Sequence, residues 1–218
     1  MSESQPSPEQ PQFAQLFPTT ILTCRLPNAG VLNRELLAHI QDLKIRDSAG
    51  RRRSNQLGWQ SNNLDYGVPV VQGFCGLILE RCQAYGCGLG WALRDELKLV
   101  MKECWANVNE RYAYNQPHTH ANALLSGVYY VQVPVGSCGH LVLLDPRSQP
   151  WVLQPEYAER NIANMPMHRL PPEEGRLVLF PSWLEHSVEQ NLSDGERISI
   201  SFNVDLVPAA MMAAVRER

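Results

Sequence analysis

Two histidines, His118 and His120, stand one residue apart in the segment PHTH, just before the apolar and aromatic run ANALLSGVYYV. Side chains two residues apart on an extended chain point the same way, so this pair can face one metal ion. Imidazole is a good ligand for Fe, Zn and Cu. The same pattern is also compatible with an ordinary polar loop before a strand. A metal site needs a third ligand, and the best candidate is His186 in the segment GRLVLFPSWLEHSVEQN.

Further polar residues occur on predicted strands. Arg197 and Ser199, in RISISFNVDLV, share one face of a strand, and a guanidinium can pair with a carboxylate through two parallel N–H donors. A lone arginine in a strand is more commonly a surface residue. Asn107, in WANVNERY, shares a face with Trp105 and Asn109, so it either hydrogen-bonds a ligand or serves an edge or turn.

The elements that must position these residues are helices followed by strands. Apolar spacing predicts one helix in NAGVLNRELLAHIQDLK, capped by Asn28, and a second from 70 to about 84, after Pro69. Strand-length runs separated by turn residues follow from about residue 97. This order predicts an α+β, mainly β fold with a sandwich or barrel core and the N-terminal helices packed on it. The Pro-rich segment 147–174 is predicted to be an irregular insertion that can cover a pocket.

Size and composition restrict the class of protein. The chain has 218 residues, 44% of them hydrophobic, which predicts a flexible tail over 1–12 and a single domain over 13–218 with its β core at about 97–206. A net charge of −3 indicates no nucleic-acid partner, and the basic run at 51–53 is predicted to be a solvated loop. No apolar stretch of about 18 residues and no signal pattern occur, and the six cysteines form no CxxC pair. We therefore expect a cytoplasmic protein with reduced thiols and no membrane partner.

Residues 105–204 resemble the superfamily of 2-oxoglutarate- and Fe(II)-dependent oxygenases. Its members carry H-x-D or H-x-E on one strand, a distal histidine, and an arginine or lysine about ten residues later; His118, His186 and Arg197 match these positions. Arg197-x-Ser199 is similar to the pair that binds the distal carboxylate of 2-oxoglutarate, and Tyr130 to a tyrosine with that role in prolyl-hydroxylase-like members. The pattern SNQLGWQS, HTH, LSGVYYV, FPSWLEHSV, RISISFN is similar to bacterial and phage oxygenases and extends the resemblance to about residue 54.

The resemblance implies a double-stranded β-helix, also called a jelly roll and shared with cupins. It also implies Fe(II), 2-oxoglutarate and O₂ as cofactors and co-substrates, and hydroxylation or a related C–H oxidation of a small molecule or peptide, with 2-oxoglutarate converted to succinate. The expected metal ligands are His118, His120 and His186. The expected co-substrate contacts are Arg197, Ser199, Tyr130 and Asn107. Homodimerisation is possible for such a fold.

His120 departs from the family pattern because a carboxylate usually stands there. It either completes a three-histidine site, lies near the metal without binding it, or leaves the iron with two protein ligands and solvent. A cupin-type three-histidine dioxygenase is the alternative, since Gly175, Pro181, His186 and Asn191 resemble a cupin motif with imperfect spacing. A non-catalytic jelly-roll binding protein is a further alternative.

Several other side chains are assigned from sequence position alone. We predict a surface position for His39 and structural or loop positions for His140 and His168. Trp59, Tyr129 and Trp183 are candidates for lining a substrate cavity, although aromatic side chains are as often part of the core.

Overall fold

The computed structural model describes residues 11, 13–94, 96–148, 152 and 155–211. The predicted tail, apart from Pro11, lies outside these residues. The helices are α1 (Ala29–Arg46) and α2 (Pro69–Gly88). The strands are β1 (Leu22–Arg25), β2 (Asn55–Gln56), β3 (Trp59–Gln60), β4 (Leu97–Asn109), β5 (Tyr114–His118), β6 (Leu125–Gln132), β7 (Leu141–Leu144), β8 (Met167–Leu170), β9 (Arg176–Pro181), β10 (His186–Val188) and β11 (Arg197–Pro208).

The strands form two antiparallel sheets. The larger has the order β1-β9-β6-β11-β4-β3, and the smaller has the order β2-β5-β10-β7-β8. Strands distant in sequence are neighbours in both sheets, as in a jelly roll, and the predicted mainly β fold is confirmed. The prediction of an irregular segment over 147–174 is wrong at Met167–Leu170, because β8 pairs there with β7.

One face of the larger sheet carries the main core. Alternate residues of β4 and β11 pack against the two helices, as the period of a strand requires. The predicted helices are confirmed: Leu36 and Ile40 of α1 and Phe74 and Ile78 of α2 are fully buried at helical spacing. Asn28 does precede α1, but its side chain makes no capping hydrogen bond. Neither helix in the described ranges is long and apolar enough to cross a bilayer.

The opposite face of the larger sheet looks toward the smaller sheet. A smaller apolar cluster, which includes Val128, Leu141 and Phe180, joins the two sheets. Beside it, β11 contributes a row of alternating polar residues, namely Arg197, Ser199, Ser201 and Asn203, while the residues between them belong to the core. The space between the sheets is therefore apolar on one side and polar on the other, and the polar side is where a site can form.

Strand β6 is packed too closely for any side chain at Gly127. A methyl group there would lie 2.5 Å from Phe202 Cζ and 2.6 Å from the carbonyl oxygen of Val178. Both distances are well below van der Waals contact, so a glycine is required between β9 and β11.

Candidate active site

The three predicted metal ligands come together between the sheets. His118 is the last residue of β5, His120 follows two residues later, and His186 is the first residue of β10. The backbones of His118 and His186 are direct partners in the sheet, and the His120 N–H donates to the carbonyl of Ser182 at 3.0 Å. The candidate ligand atoms of the three side chains lie within 4.8 Å of one another. Three imidazoles at these distances can hold one metal ion.

Backbone carbonyls orient two of these rings. His118 Nδ1 lies 2.6 Å from the Gln116 oxygen, and His186 Nδ1 lies 2.9 Å from the Leu184 oxygen. A carbonyl oxygen only accepts, so Nδ1 carries the proton in both rings and leaves the Nε2 lone pair for a metal. His120 is held differently, since its Nδ1 lies 3.5 Å from Asn203 Nδ2, at the limit of a hydrogen bond.

Burial keeps the imidazoles neutral. Together with repulsion from His118, it lowers the pKa of His186 to about 3 and that of His120 to about 4. Burial lowers the pKa of His118 as well. Neutral imidazole is the form that binds a metal, so the site is ready for one at neutral pH.

A network of polar side chains, formed by Ser126, Asn203 and Glu103, lies next to His120. Asn203 is 3% exposed; its Oδ1 accepts from Ser126 Oγ at 2.8 Å and its Nδ2 donates to Glu103 Oε2 at 2.8 Å. The Glu103 carboxylate opposes the other effects by raising the pKa of His120. The Glu103 carboxylate therefore places a negative charge near His120, which stands where the sequence resemblance predicts a carboxylate.

A narrow inner cavity of about 40 Å³ extends from the histidines between the sheets. It has room for roughly three water-sized groups, about the size of a carboxylate. The structure places the four predicted co-substrate residues in its wall, namely Asn107, Tyr130, Arg197 and Ser199. Ser201 and Asn109, which the prediction did not include, also line it.

Arg197 is the charged group of this cavity and is only 2% exposed. Its Nη1 donates to the carbonyl oxygens of Cys138, Gly139 and Glu189. Its Nη2, like Asn107 Oδ1, is buried without a hydrogen-bond partner among the described residues. Burial lowers the pKa of Arg197, but a guanidinium stays protonated in proteins. An unpaired buried cation in a cavity of this size fits the distal carboxylate of 2-oxoglutarate.

The register of the larger sheet aligns the hydroxyl donors with this arginine. Ser199 is the direct partner of Tyr130 on β6 and of Asn107 on β4. The β6 partner is set by a bulge that leaves Val131 as an extra residue between the paired positions. Burial raises the pKa of Tyr130 to about 12, so its hydroxyl keeps its proton and can donate.

A second, open cavity of about 570 Å³ lies on the other side of the histidines. It shares Ser54, Trp105, His118 and His120 with the inner cavity, so the candidate metal site lies where the two cavities meet. We call this the outer cavity. Its remaining lining is mainly polar and consists of Arg51, Arg53, Gln60, Ser61, Asn63, Glu103, Gln116, Pro117, Thr119, Ala121 and Asn203.

Three aromatic predictions are wrong. Trp59 is buried in the core and donates to the Asp47 carbonyl, Tyr129 donates to Asn33 Oδ1 beside α1, and Trp183 is 57% exposed. None of them lines either cavity. Tyr129 precedes Tyr130 on β6, so it necessarily points to the opposite face. The described part of segment 147–174 also lines neither cavity.

The remaining histidines lie outside both cavities. The prediction of a surface His39 is wrong, since it is half-buried and its Nε2 has no partner among the described residues. His140 Nδ1 lies 2.9 Å from Glu189 Oε2, and His168 lies on the edge strand β8.

Comparisons with known proteins agree with this geometry. Residues 103–203 match the family described as "Putative 2OG-Fe(II) oxygenase". A Pseudomonas putida prolyl-4-hydroxylase structure is similar with a TM-score of 0.61 at 18% identity, over 86% of this chain and 93% of that one. The α-ketoglutarate-dependent epimerase SnoN from nogalamycin biosynthesis gives 0.62 at 16%, over 88% and 77%. A viral collagen prolyl hydroxylase from Paramecium bursaria Chlorella virus-1 gives 0.54 at 10%, over 86% and 96%. A search of curated protein sequences gave no match.

The structural similarities, at these identities, establish the fold. The family match adds the chemistry, and it spans all three histidines together with Asn107, Tyr130, Arg197 and Ser199. The family match over 103–203 and the similar folds together support membership in the superfamily of 2-oxoglutarate- and Fe(II)-dependent oxygenases.

Proposed function

We propose that His118, His120 and His186 bind the Fe(II) of this oxygenase, and that Arg197, Ser199, Tyr130 and Asn107 bind 2-oxoglutarate. The proposed reaction is hydroxylation, or a related C–H oxidation, of a small molecule or peptide in the outer cavity. When bound, the iron supplies the oxidising chemistry with O₂ while 2-oxoglutarate is converted to succinate and CO₂. The protein's own residues hold and orient the reactants.

The observation that carries the proposal is the buried Arg197 in a cavity that begins at the three histidines. A buried guanidinium with a free Nη2 favours the binding of an anion, and two parallel donors match a carboxylate. Ser199 and Tyr130 add hydroxyl donors beside it. A cupin-type three-histidine dioxygenase has no use for this arginine, and a non-catalytic binding protein has no need for three neutral imidazoles within ligand distance of one another.

The test is anaerobic titration of Fe(II) and 2-oxoglutarate into the metal-free protein. We expect the weak visible charge-transfer absorption of an iron–keto-acid chelate, together with thermal stabilisation by 2-oxoglutarate. Absence of both with a folded protein contradicts the proposal. Metal binding without an effect of 2-oxoglutarate favours the cupin-type alternative, and no metal binding favours the binding protein.

The role of His120 is tested separately. His118→Ala and His186→Ala should abolish Fe(II) binding, because each removes a ring whose Nε2 is preset by its backbone contact. His120→Ala should weaken Fe(II) binding, whereas His120→Asp should retain it by restoring the ligand type usual in the superfamily. His140→Ala, outside both cavities, is the control. Unchanged Fe(II) affinity in His120→Ala would show that His120 is not a ligand.

A cytoplasmic location is also proposed. It is supported by the six cysteines, which are all free thiols, as expected in a reducing compartment. Homodimerisation stays a prediction, which sedimentation velocity of the purified protein tests.

A further inference from the structure

The outer cavity has the size and lining of a site for a small polar molecule. Its volume of about 570 Å³ falls within the roughly 300–1,000 Å³ typical of small-molecule sites. His118 and His120 lie in its wall, so a molecule bound there has access to the candidate metal site. Most of the other side chains in the wall are amides, hydroxyls or charged groups.

Two arginines, Arg51 and Arg53, give this cavity a cationic side. Both line it, while Arg52 between them does not. Both side chains are exposed and neither forms an ion pair with another described residue. Two unpaired guanidinium groups beside one cavity are suited to an anion, because each offers a planar pair of donors.

The backbone that carries these arginines is fixed by a buried asparagine. Asn55 is 6% exposed; its Nδ2 donates to the carbonyls of Arg51 at 3.0 Å and Gly58 at 2.9 Å, and its Oδ1 accepts from the Arg53 N–H at 2.7 Å. The Arg51 N–H also donates to the Gln60 carbonyl at 2.8 Å. The segment is therefore held in place before any ligand binds, which lowers the entropy lost on binding.

The same segment is tied to the strand of the first histidine. The Ser54 carbonyl accepts from the Gln116 N–H at 2.9 Å, and Asn115 Nδ2 donates to Ser54 Oγ at 3.2 Å. Both partners lie on β5, which ends at His118. The backbone that carries the arginines is therefore held at a fixed position relative to the candidate metal site.

The wall of the outer cavity also carries a negative charge, at Glu103, in addition to the two arginines. Glu103 is held by Asn203 Nδ2 at 2.8 Å and lines the same cavity as the two arginines. A carboxylate repels an anion and attracts hydroxyl or ammonium donors. An anionic group is favoured at the arginines, and the hydrogen-bond donors of the same molecule are favoured at Glu103.

We infer that the substrate is a small polar molecule with a carboxylate or phosphate group, and that Arg51 and Arg53 bind this group. The inference rests on the proposed function, because it assumes that the outer cavity receives the substrate. It makes Arg51 and Arg53 specificity-determining residues, and it assigns a role to the only run of basic residues in the sequence.

The test uses Mn(II) as a redox-stable replacement for Fe(II), with 2-oxoglutarate at saturation so that Arg197 is occupied. The probes are inorganic phosphate, followed by ³¹P relaxation, and acetate, followed by relaxation of its methyl protons. A probe held in the outer cavity lies close enough to Mn(II) for strong, saturable paramagnetic relaxation. The double variant R51Q/R53Q should weaken this binding roughly tenfold or more, and R52Q should not change it. Comparing the two probes distinguishes a phosphate from a carboxylate preference.

Two results would overturn the inference: no saturable relaxation of either probe in the wild-type protein, or equal relaxation in the wild type and R51Q/R53Q. Water-proton relaxation reports independently whether Mn(II) is bound, and the Fe(II) charge-transfer absorption reports 2-oxoglutarate. If Mn(II) and 2-oxoglutarate bind normally but neither phosphate nor acetate shows saturable relaxation, the substrate inference is wrong and the proposed function stands. If metal and 2-oxoglutarate fail to bind, the proposed function is wrong and this inference falls with it.

Discussion

Replacement of Arg197 is the most direct test of the inner cavity. Arg197→Gln removes the buried positive charge and the unpartnered Nη2 but keeps a polar side chain at this position. Arg197→Lys keeps a positive charge but loses the planar pair of donors. If the cavity binds the distal carboxylate of 2-oxoglutarate, the first variant should lose more affinity than the second.

The magnitude follows from the burial of the arginine, which is only 2% exposed. Truncating one partner of a buried, hydrogen-bonded charge pair costs about 2–5 kcal/mol, so the Kd for 2-oxoglutarate should rise roughly thirtyfold to several thousandfold in Arg197→Gln. Losing one hydrogen bond to a charged group costs about 1.5–3 kcal/mol, which corresponds to roughly a tenfold to hundredfold rise in Arg197→Lys.

The assay is anaerobic titration of 2-oxoglutarate into the Fe(II)-loaded protein, followed by the charge-transfer absorption. Fe(II) affinity should stay unchanged, since Arg197 is not one of the three histidines proposed as ligands. Arg169→Gln is the matched control, because Arg169 lies on β8 and lines neither cavity. A folded, metal-loaded Arg197→Gln protein that binds 2-oxoglutarate with wild-type affinity would refute the assignment.

Three further predictions concern other parts of the structure. Tyr130→Phe should raise the Kd for 2-oxoglutarate roughly tenfold, because it removes a hydroxyl donor from the inner cavity. Tyr129→Phe should leave this Kd unchanged, because the Tyr129 hydroxyl donates to Asn33. Equal effects of the two variants in the same titration would contradict this prediction. In the metal-free protein, the pKa values of His120 (about 4) and His186 (about 3) lie below the ordinary 6.5, so the unfolded chain binds protons that the folded chain does not. The free energy of unfolding should therefore fall as the pH drops from about 6.5 towards 4, and it should fall less steeply in His186→Gln. Urea titrations at several pH values measure this dependence, and an equal pH dependence in the two proteins would contradict the prediction. Gly127→Ala should lower the free energy of unfolding by about 1–3 kcal/mol through its clash with Phe202 and Val178, whereas Gly73→Ala on the open side of α2 should raise it by about 0.5–1 kcal/mol; a harmless Gly127→Ala would show that β6 can shift.

Some cavity-lining residues that were not predicted, Ser201 and Asn203, follow a pattern that is visible in the sequence. From Arg197 onward, β11 alternates polar and apolar residues, and the polar positions continue through Ser201 and Asn203. Extending the alternation would have predicted both as neighbours of Arg197 and Ser199. On β4, Trp105 shares the face of Asn107 in the same way. Alternation identifies a face but does not say whether that face lines a cavity or meets solvent.

Other residues could not be found from local patterns. Arg51, Arg53 and Ser54 lie in a polar segment without regular spacing, and they reach the site because Asn55 fixes their backbone and β2 pairs with β5. The aromatic predictions failed for a related reason. Trp59, Tyr129 and Trp183 are of suitable residue types, but their strand register and the local turns direct them to the core, to α1 or to solvent.

The sequence by itself predicted the class of fold, because strand periodicity is a local property of the chain, and its resemblance to the oxygenase superfamily predicted the candidate ligands. Only the tertiary structure decided that His118 and His186 are partners across two strands and that Arg197 is buried with a free donor. It also decided that a second cavity carries two arginines on the other side of the candidate metal ligands. These features depend on which distant strands pair, and that pairing is set by the packing of the whole molecule.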